Sequence, residues 1–164
     1  MAHPHSQLLA AFTACSNITG VCMNVPQITA ILKRYNTLSV WDYASSAPYV
    51  KIEVNGVHPI DAVFFSGHKF IGVLVVKKSL IEAKAPKRIG GGTVFFVSQK
   101  GEWYLKDAEN REEGGTPDSV GIIRLALAVK LKRAVGEHAI AAQEVQKTAY
   151  VFGESLILCI QFYF

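Results

Sequence analysis

Cysteine is scarce in this chain: Cys15, Cys22 and Cys159 are odd in number and show neither metal-ligand nor redox spacing. That excludes a disulfide framework as the source of stability, assigns no metal site, and fits a reducing compartment. Long apolar runs are missing too. Nothing reaches the ~20 residues of a membrane span. The run Leu8 to Phe12 follows a start, Met1-Ala-His-Pro-His, without Lys or Arg, and is too short for a signal-peptide core. The expectation is a soluble, intracellular, cytoplasmic protein with no membrane partner. Basic clustering is also lacking. A formal charge of +4 and a pI near 9.0 are spread over Lys77-Lys78, Lys84 to Arg88 and Lys130 to Arg133. Without interleaved aromatics this is a solvated surface rather than a nucleic-acid interface, although it would draw an anionic cofactor.

What is present is apolar content: 50% of 164 residues, enough for one core. Leu8 to Ala14 reads as a buried strand ending at Cys15-Ser16-Asn17. Asn24 is a helix cap with Pro26 in the first turn, and Val25, Ile28, Ile31, Leu32 and Tyr35 recur at helical spacing. Leu38 to Trp41 is the next strand, so the unit is βαβ, with parallel pairing and a right-handed crossover. Ala44 to Pro48 is a small-residue loop, Tyr49 to Val54 is expected to be extended, and Asp61 to Ser66 is a strand buried on both faces. Only Phe70-Ile71-Gly72 separate Lys69 from Val73 to Val76, too few for a crossover helix, so that strand pairs antiparallel. Thr93 to Val97 is a further strand and Glu102 to Glu113 a charged surface loop. A helix begins at Thr116-Pro117, runs through Val135 and stops at Gly136, with Lys130, Lys132 and Arg133 complementing its dipole. The end of the chain, Leu156 to Ile160 with Phe162 to Phe164, is apolar and strand-prone.

The chemistry centres on Ser66-Gly67-His68-Lys69 at the carboxyl end of a strand, one strand beyond Asp42. A lysine amine in a partly desolvated pocket has its pKa lowered enough to hold an aldehyde cofactor as an imine. A carboxylate such as Asp42 against a pyridine nitrogen keeps that nitrogen protonated. Ser66, Gly67 and His68 would give a phosphate its hydroxyl, N–H and imidazole donors. Asn17 and Asp42 leave the βαβ unit on one edge of the sheet, where ligands collect in open α/β folds.

Four separated motifs carry a resemblance. Val40-Trp-Asp42-Tyr-Ala-Ser-Ser-Ala-Pro-Tyr49, Asp61-Ala-Val-Phe-Phe-Ser-Gly-His-Lys69, Gly90-Gly-Gly-Thr93 and Arg111-Glu-Glu-Gly-Gly-Thr-Pro117 resemble, in that order, the class V aminotransferases. This fold type I, pyridoxal-phosphate-dependent group includes cysteine desulfurases and selenocysteine lyases. The resemblance implies an α/β fold: part of a PLP-dependent transferase large domain over residues 8–147, a mixed, mostly parallel sheet with flanking helices. Residues 148–164 are an atypical apolar C-terminal tail. It makes Lys69 the Schiff-base lysine and Asp42 the partner of the pyridine nitrogen. Ser66 and His68 become phosphate contacts and Asn17 a neighbour of the ring hydroxyl. Thr116 reaches the phosphate of the neighbouring subunit in a homodimer. The substrate is an amino acid, and the reaction transamination or removal of sulfur from cysteine.

The chain also departs from the family. The loop after Lys69 is short, Ser45 stands where related desulfurases carry a glutamine, and the resemblance begins at the strand before Asn17. No cysteine stands in the desulfurase nucleophile's place in the motif order. A truncated or alternatively spliced form is therefore expected, and with it a rival reading: an inactive fragment that binds PLP weakly or pairs with a full-length subunit.

Overall fold

Alternation of side chains decides where the sheet is buried. In Thr37–Asp42 (β2), Thr37, Ser39 and Trp41 are buried while Leu38, Val40 and Asp42 are half-buried, the period of two that a pleated strand imposes. The computed structural model that reveals this describes residues 7–67 and 71–162. Leu8–Thr13 (β1) runs parallel to β2, Ala62–Ser66 (β3) runs parallel on its other side, and Gly72–Val76 (β4) closes the order β1-β2-β3-β4 antiparallel to β3. The sheet is mixed and mostly parallel, as expected, and the short connection after β3 gives the antiparallel edge.

Val25–Arg34 (α1) makes the crossover. Its Asn24 cap accepts a hydrogen bond from the Gln27 N–H at 3.2 Å, and Pro26 occupies the first turn, where a missing N–H costs nothing. The helix docks through a buried polar pair: the Trp41 indole Nε1–H donates to Thr29 Oγ1 at 3.0 Å, with both side chains wholly inaccessible. Ala14, Val25, Trp41, Tyr43, Ile60 and Val63 form the core around that contact.

Several expectations are corrected. Strand β1, expected to be buried, is an edge strand with Leu8, Leu9 and Phe12 exposed, because among the described residues it has a neighbour on one side only. Residues Tyr49 to Val54 form turns and irregular backbone, not a strand. The stretch from Glu102 to Glu113 holds two elements: Gly101–Tyr104 (β6), which pairs with Val94–Ser98 (β5) in a separate antiparallel hairpin, and the short helix Ala108–Glu112 (α2) capped by Asp107. Strand β3 is buried on both faces only at its start, since Phe64 is exposed.

Ser119–Val135 (α3) follows, and its cap is Asp118, whose Oδ1 accepts from the Gly121 N–H at 2.9 Å. Thr116 is therefore not the cap, because a carboxylate two residues later meets the first free N–H groups. Gly136 ends the helix at φ +90°, its N–H on Lys132 O. Glu137–Phe162 (α4) is one helix, so the strand-prone end is helical up to Phe162; Tyr163 and Phe164 lie outside the described residues. Among the described residues no helix is long and apolar enough to cross a membrane.

Candidate functional site

The carboxyl ends of the three parallel strands are stitched to one another. Past β1, the Ala14 N–H donates to Asp42 O at 2.8 Å; past β2, the Tyr43 N–H donates to Phe64 O at 2.9 Å. The loop from Cys15 to Cys22 is shaped by Ser16, whose Oγ accepts from the N–H groups of Ile18 at 3.3 Å and Thr19 at 3.2 Å. Asn17 is exposed on it. The Ser45 hydroxyl donates to Cys15 O at 2.7 Å, tying the β2 loop to the Asn17 loop. Asp42 is half-buried, and its Oδ1 accepts from the Ala44 N–H at 2.7 Å. Asn17, Cys15, Ser45 and Tyr49 line a cleft of about 880 Å³ that α4 walls with Ala141, Glu144 and Thr148.

At the end of β3, Ser66 is half-buried and paired in register with Gly72. Gly67 is buried, and its N–H donates to Ile71 O at 2.6 Å. A Cβ there would stand 2.8 Å from Leu125 Cδ1 and 2.9 Å from Ile71 O, so only glycine lets the backbone pass between α3 and β4. His68 and Lys69, the phosphate contact and the Schiff-base lysine of the sequence reading, lie outside the described residues.

The two glycine motifs meet. A Cβ on Gly90 would sit 2.9 Å from Gly114 Cα, and the Gly115 N–H donates to Gly91 O at 2.8 Å. Buried Thr93 closes the turn, its hydroxyl donating to Gly90 O at 2.7 Å. Gly91, Gly92, Thr116, Asp118 and Ile122 border a second cleft of about 470 Å³. Thr116 is thus exposed on a cleft separate from that of Asn17. Arg111, from the same motif, is buried and donates to the carbonyls of Leu105 at 2.9 Å, Lys106 at 3.1 Å and Ile81 at 3.1 Å, which makes it a strut.

Sequence reasoning missed three groups. Asp61, 2% exposed at the amino end of β3, accepts from Lys33 Nζ and, at 2.6 Å, from Lys77 Nζ; Ser39 adds its N–H at 2.8 Å and its hydroxyl at 3.0 Å. Burial pushes this carboxyl up, but the Lys33, Lys77 and Ser39 donors outweigh it and hold it well below the usual carboxylate range. This clamp is on the sheet edge opposite Asn17 and Asp42. Lys132, beyond complementing the α3 dipole, donates to Ala47 O at 2.9 Å and Val50 O at 2.7 Å. Cys15 and Cys22, seven residues apart, have their sulfurs 3.1 Å from each other. An acid inside an apolar run was the one signal that could have found any of them.

At this edge a carboxylate, an amide and a hydroxyl are available, groups of the kind that could hold a heterocycle with a protonated ring nitrogen and a ring hydroxyl. A family model for Aminotransferase class-V matches residues 4–156. A cysteine desulfurase of Enterobacter sp. (strain 638) is 34% identical over 152 residues, 89% of this chain and 37% of its own. A probable cysteine desulfurase of Borreliella burgdorferi is 33% identical over 130 residues, 74% of this chain and 31% of its own. The apo cysteine desulfurase structure from Thermococcus onnurineus NA1 superposes with a TM-score of 0.79 at 34% identity, covering 89% of this chain and 38% of that one. The chain spans about a third of the length of the curated relatives it matches. Motifs, fold and sequence agree, and the chain belongs to the class-V aminotransferase family.

Proposed function

We propose that this chain carries the cofactor-holding part of a pyridoxal-phosphate enzyme of the cysteine desulfurase-like group, acting on an amino acid. Members of the family depend on this cofactor, which supplies, when bound, an electron sink for bonds at an amino acid's alpha carbon. In this reading Lys69 is the amine that anchors it and later moves a proton at that carbon. Asp42 keeps the proton on the ring nitrogen, Asn17 meets the ring hydroxyl, and Ser66 and His68 bind phosphate. Thr116 reaches the phosphate held by a second subunit, which accounts for its separate cleft. Residues 8–147 form the cofactor-binding part and 148–164 its tail. The names of the relatives favour cysteine as substrate. What carries the reading is the tying of the β1 and β2 ends to each other and to β3, through Ala14 to Asp42, Tyr43 to Phe64 and Ser45 to Cys15.

A second reading, a chain that works only when paired with a longer subunit, is favoured by the apolar side chains exposed on α3 and the β5–β6 hairpin. Borohydride trapping tests the first reading. The chain is incubated with pyridoxal phosphate, reduced, digested and mapped by mass, with Lys69→Ala as control. An adduct confined to Lys69 and lost in the control is expected. Adducts spread evenly over surface lysines would sink the reading for the isolated chain; recovery of a Lys69 adduct only on mixing with a full-length relative would support the second.

A further inference from the structure

The Cys15–Cys22 pair belongs to none of the family motifs. Its backbone geometry is specific. Cys15 and Cys22 form an isolated antiparallel bridge. The flanking bonds run from the Met23 N–H to Ala14 O at 2.8 Å and from the Ser16 N–H to Val21 O at 3.0 Å. The two cysteines are therefore a non-hydrogen-bonded pair, the kind in which facing Cα atoms approach to about 4.5 Å. That separation falls at the short end of the disulfide range of roughly 4.4–6.8 Å. Their sulfurs already touch at 3.1 Å, and both thiols are free.

We infer that Cys15 and Cys22 form a redox site that exchanges with small-molecule disulfides of the glutathione type, closing reversibly into a disulfide across the Asn17 loop. The Cys22 thiolate attacks one sulfur of the small disulfide, forming a mixed disulfide on Cys22 and expelling one small thiolate. The Cys15 thiolate then attacks Cys22 Sγ and expels the second. Two protein thiols are oxidised, one small disulfide is reduced to two thiols, and the two protein protons leave with them. Exposure sets the order of attack. Cys22 is open to solvent, whereas Cys15 is half-buried, donates to Gly20 O at 3.3 Å, and has its thiol pushed up to about 11 by burial and then by the Cys22 sulfur. Cys15 is thus poor at meeting an external disulfide and well placed to resolve one formed next to it. The consequence for the candidate site is mechanical, since the bond would fix both ends of the loop that presents Asn17.

The inference is independent of cofactor binding and is tested without it. The full chain is equilibrated in mixtures of reduced and oxidised glutathione, quenched in acid, alkylated and mapped by mass. Alkylation at Cys15 and Cys22 should be lost together, in one two-electron step, with appearance of a Cys15–Cys22 cross-linked peptide. Cys15→Ser should leave glutathione stranded on Cys22, and Cys22→Ser, at an exposed position that does not threaten the fold, should leave Cys15 reduced. Both thiols remaining alkylatable at every ratio, glutathione accumulating on wild-type Cys22, or cross-links forming preferentially to Cys159 would each overturn it.

Discussion

Asp61 shows how a residue read as the first position of a strand becomes the most connected side chain of the sheet. Two lysines and both donors of Ser39 converge on a carboxylate with 2% exposure. Burial alone would neutralise it; four donors win. Because the folded carboxyl is held below its unfolded value, its contribution is fully present above pH about 4 and drains away as pH falls through the folded pKa. Asp61→Asn should cost about 2–3 kcal/mol by urea denaturation at neutral pH, below the usual toll for a broken buried pair, because Lys33 and Lys77 are 30% and 41% exposed and can turn to water. The gap between variant and wild type should close as pH falls below about 4. A gap unchanged down to pH about 2 would mean that the carboxylate charge is not what stabilises. The place of Asp42 at the end of β2 was legible, because strand and acid are adjacent in the sequence. Asp61 was not, because Lys33, Ser39 and Lys77 lie 28, 22 and 16 residues away and only the fold brings them together.

Elements were legible where a local rule governs them. Asn24 and Pro26 announce α1 and Gly136 ends α3. Spacing of apolar residues cannot separate a short buried strand from a helix, which is why the end of the chain read as strand and forms α4. Hairpin β5–β6 was half seen, because Glu102 to Tyr104 of β6 were absorbed into a charged stretch. The role of α3 was hidden differently. Lys132 looks like a dipole residue, yet its ammonium bridges two carbonyls of the Tyr43–Val50 turn and so couples the helix to the floor of the candidate site. Lys132→Met should lower stability by about 1–2 kcal/mol, since the freed carbonyls are near enough to the surface to find water. Amide hydrogen exchange at Ser46, Ala47 and Val50 should speed up more than exchange in β2. Equal acceleration in both would show that the lysine serves global stability only.

At the scale of the molecule, the sheet has a good core on the α1 side and little cover elsewhere. Phe95 and Ile123 are 81% and 60% exposed, and Leu8, Leu9 and Phe12 stand open on edge strand β1. Exposed apolar side chains of this kind seek a partner, and an open strand edge adds backbone groups to the attraction. The chain in isolation should therefore self-associate as concentration rises from about one to a hundred micromolar, read by light scattering. A constant monomer mass over that range would count against the exposed faces being sticky. Fold class was legible from the order of elements and the one short connection. How Gly90 and Gly114 meet was not, since nothing local links two glycine runs separated by a hairpin and a helix.

The order of strands in the sheet, β1-β2-β3-β4, is also their order along the chain. Each strand, as it leaves the ribosome, finds its neighbour already made, and no later segment must be inserted between earlier ones. By the time Lys77 has been synthesised, Asp61 has all its partners. The half of the polypeptide that bears Asn17, Asp42 and Ser66 can thus assemble during translation, before the glycine motifs and the long helices exist.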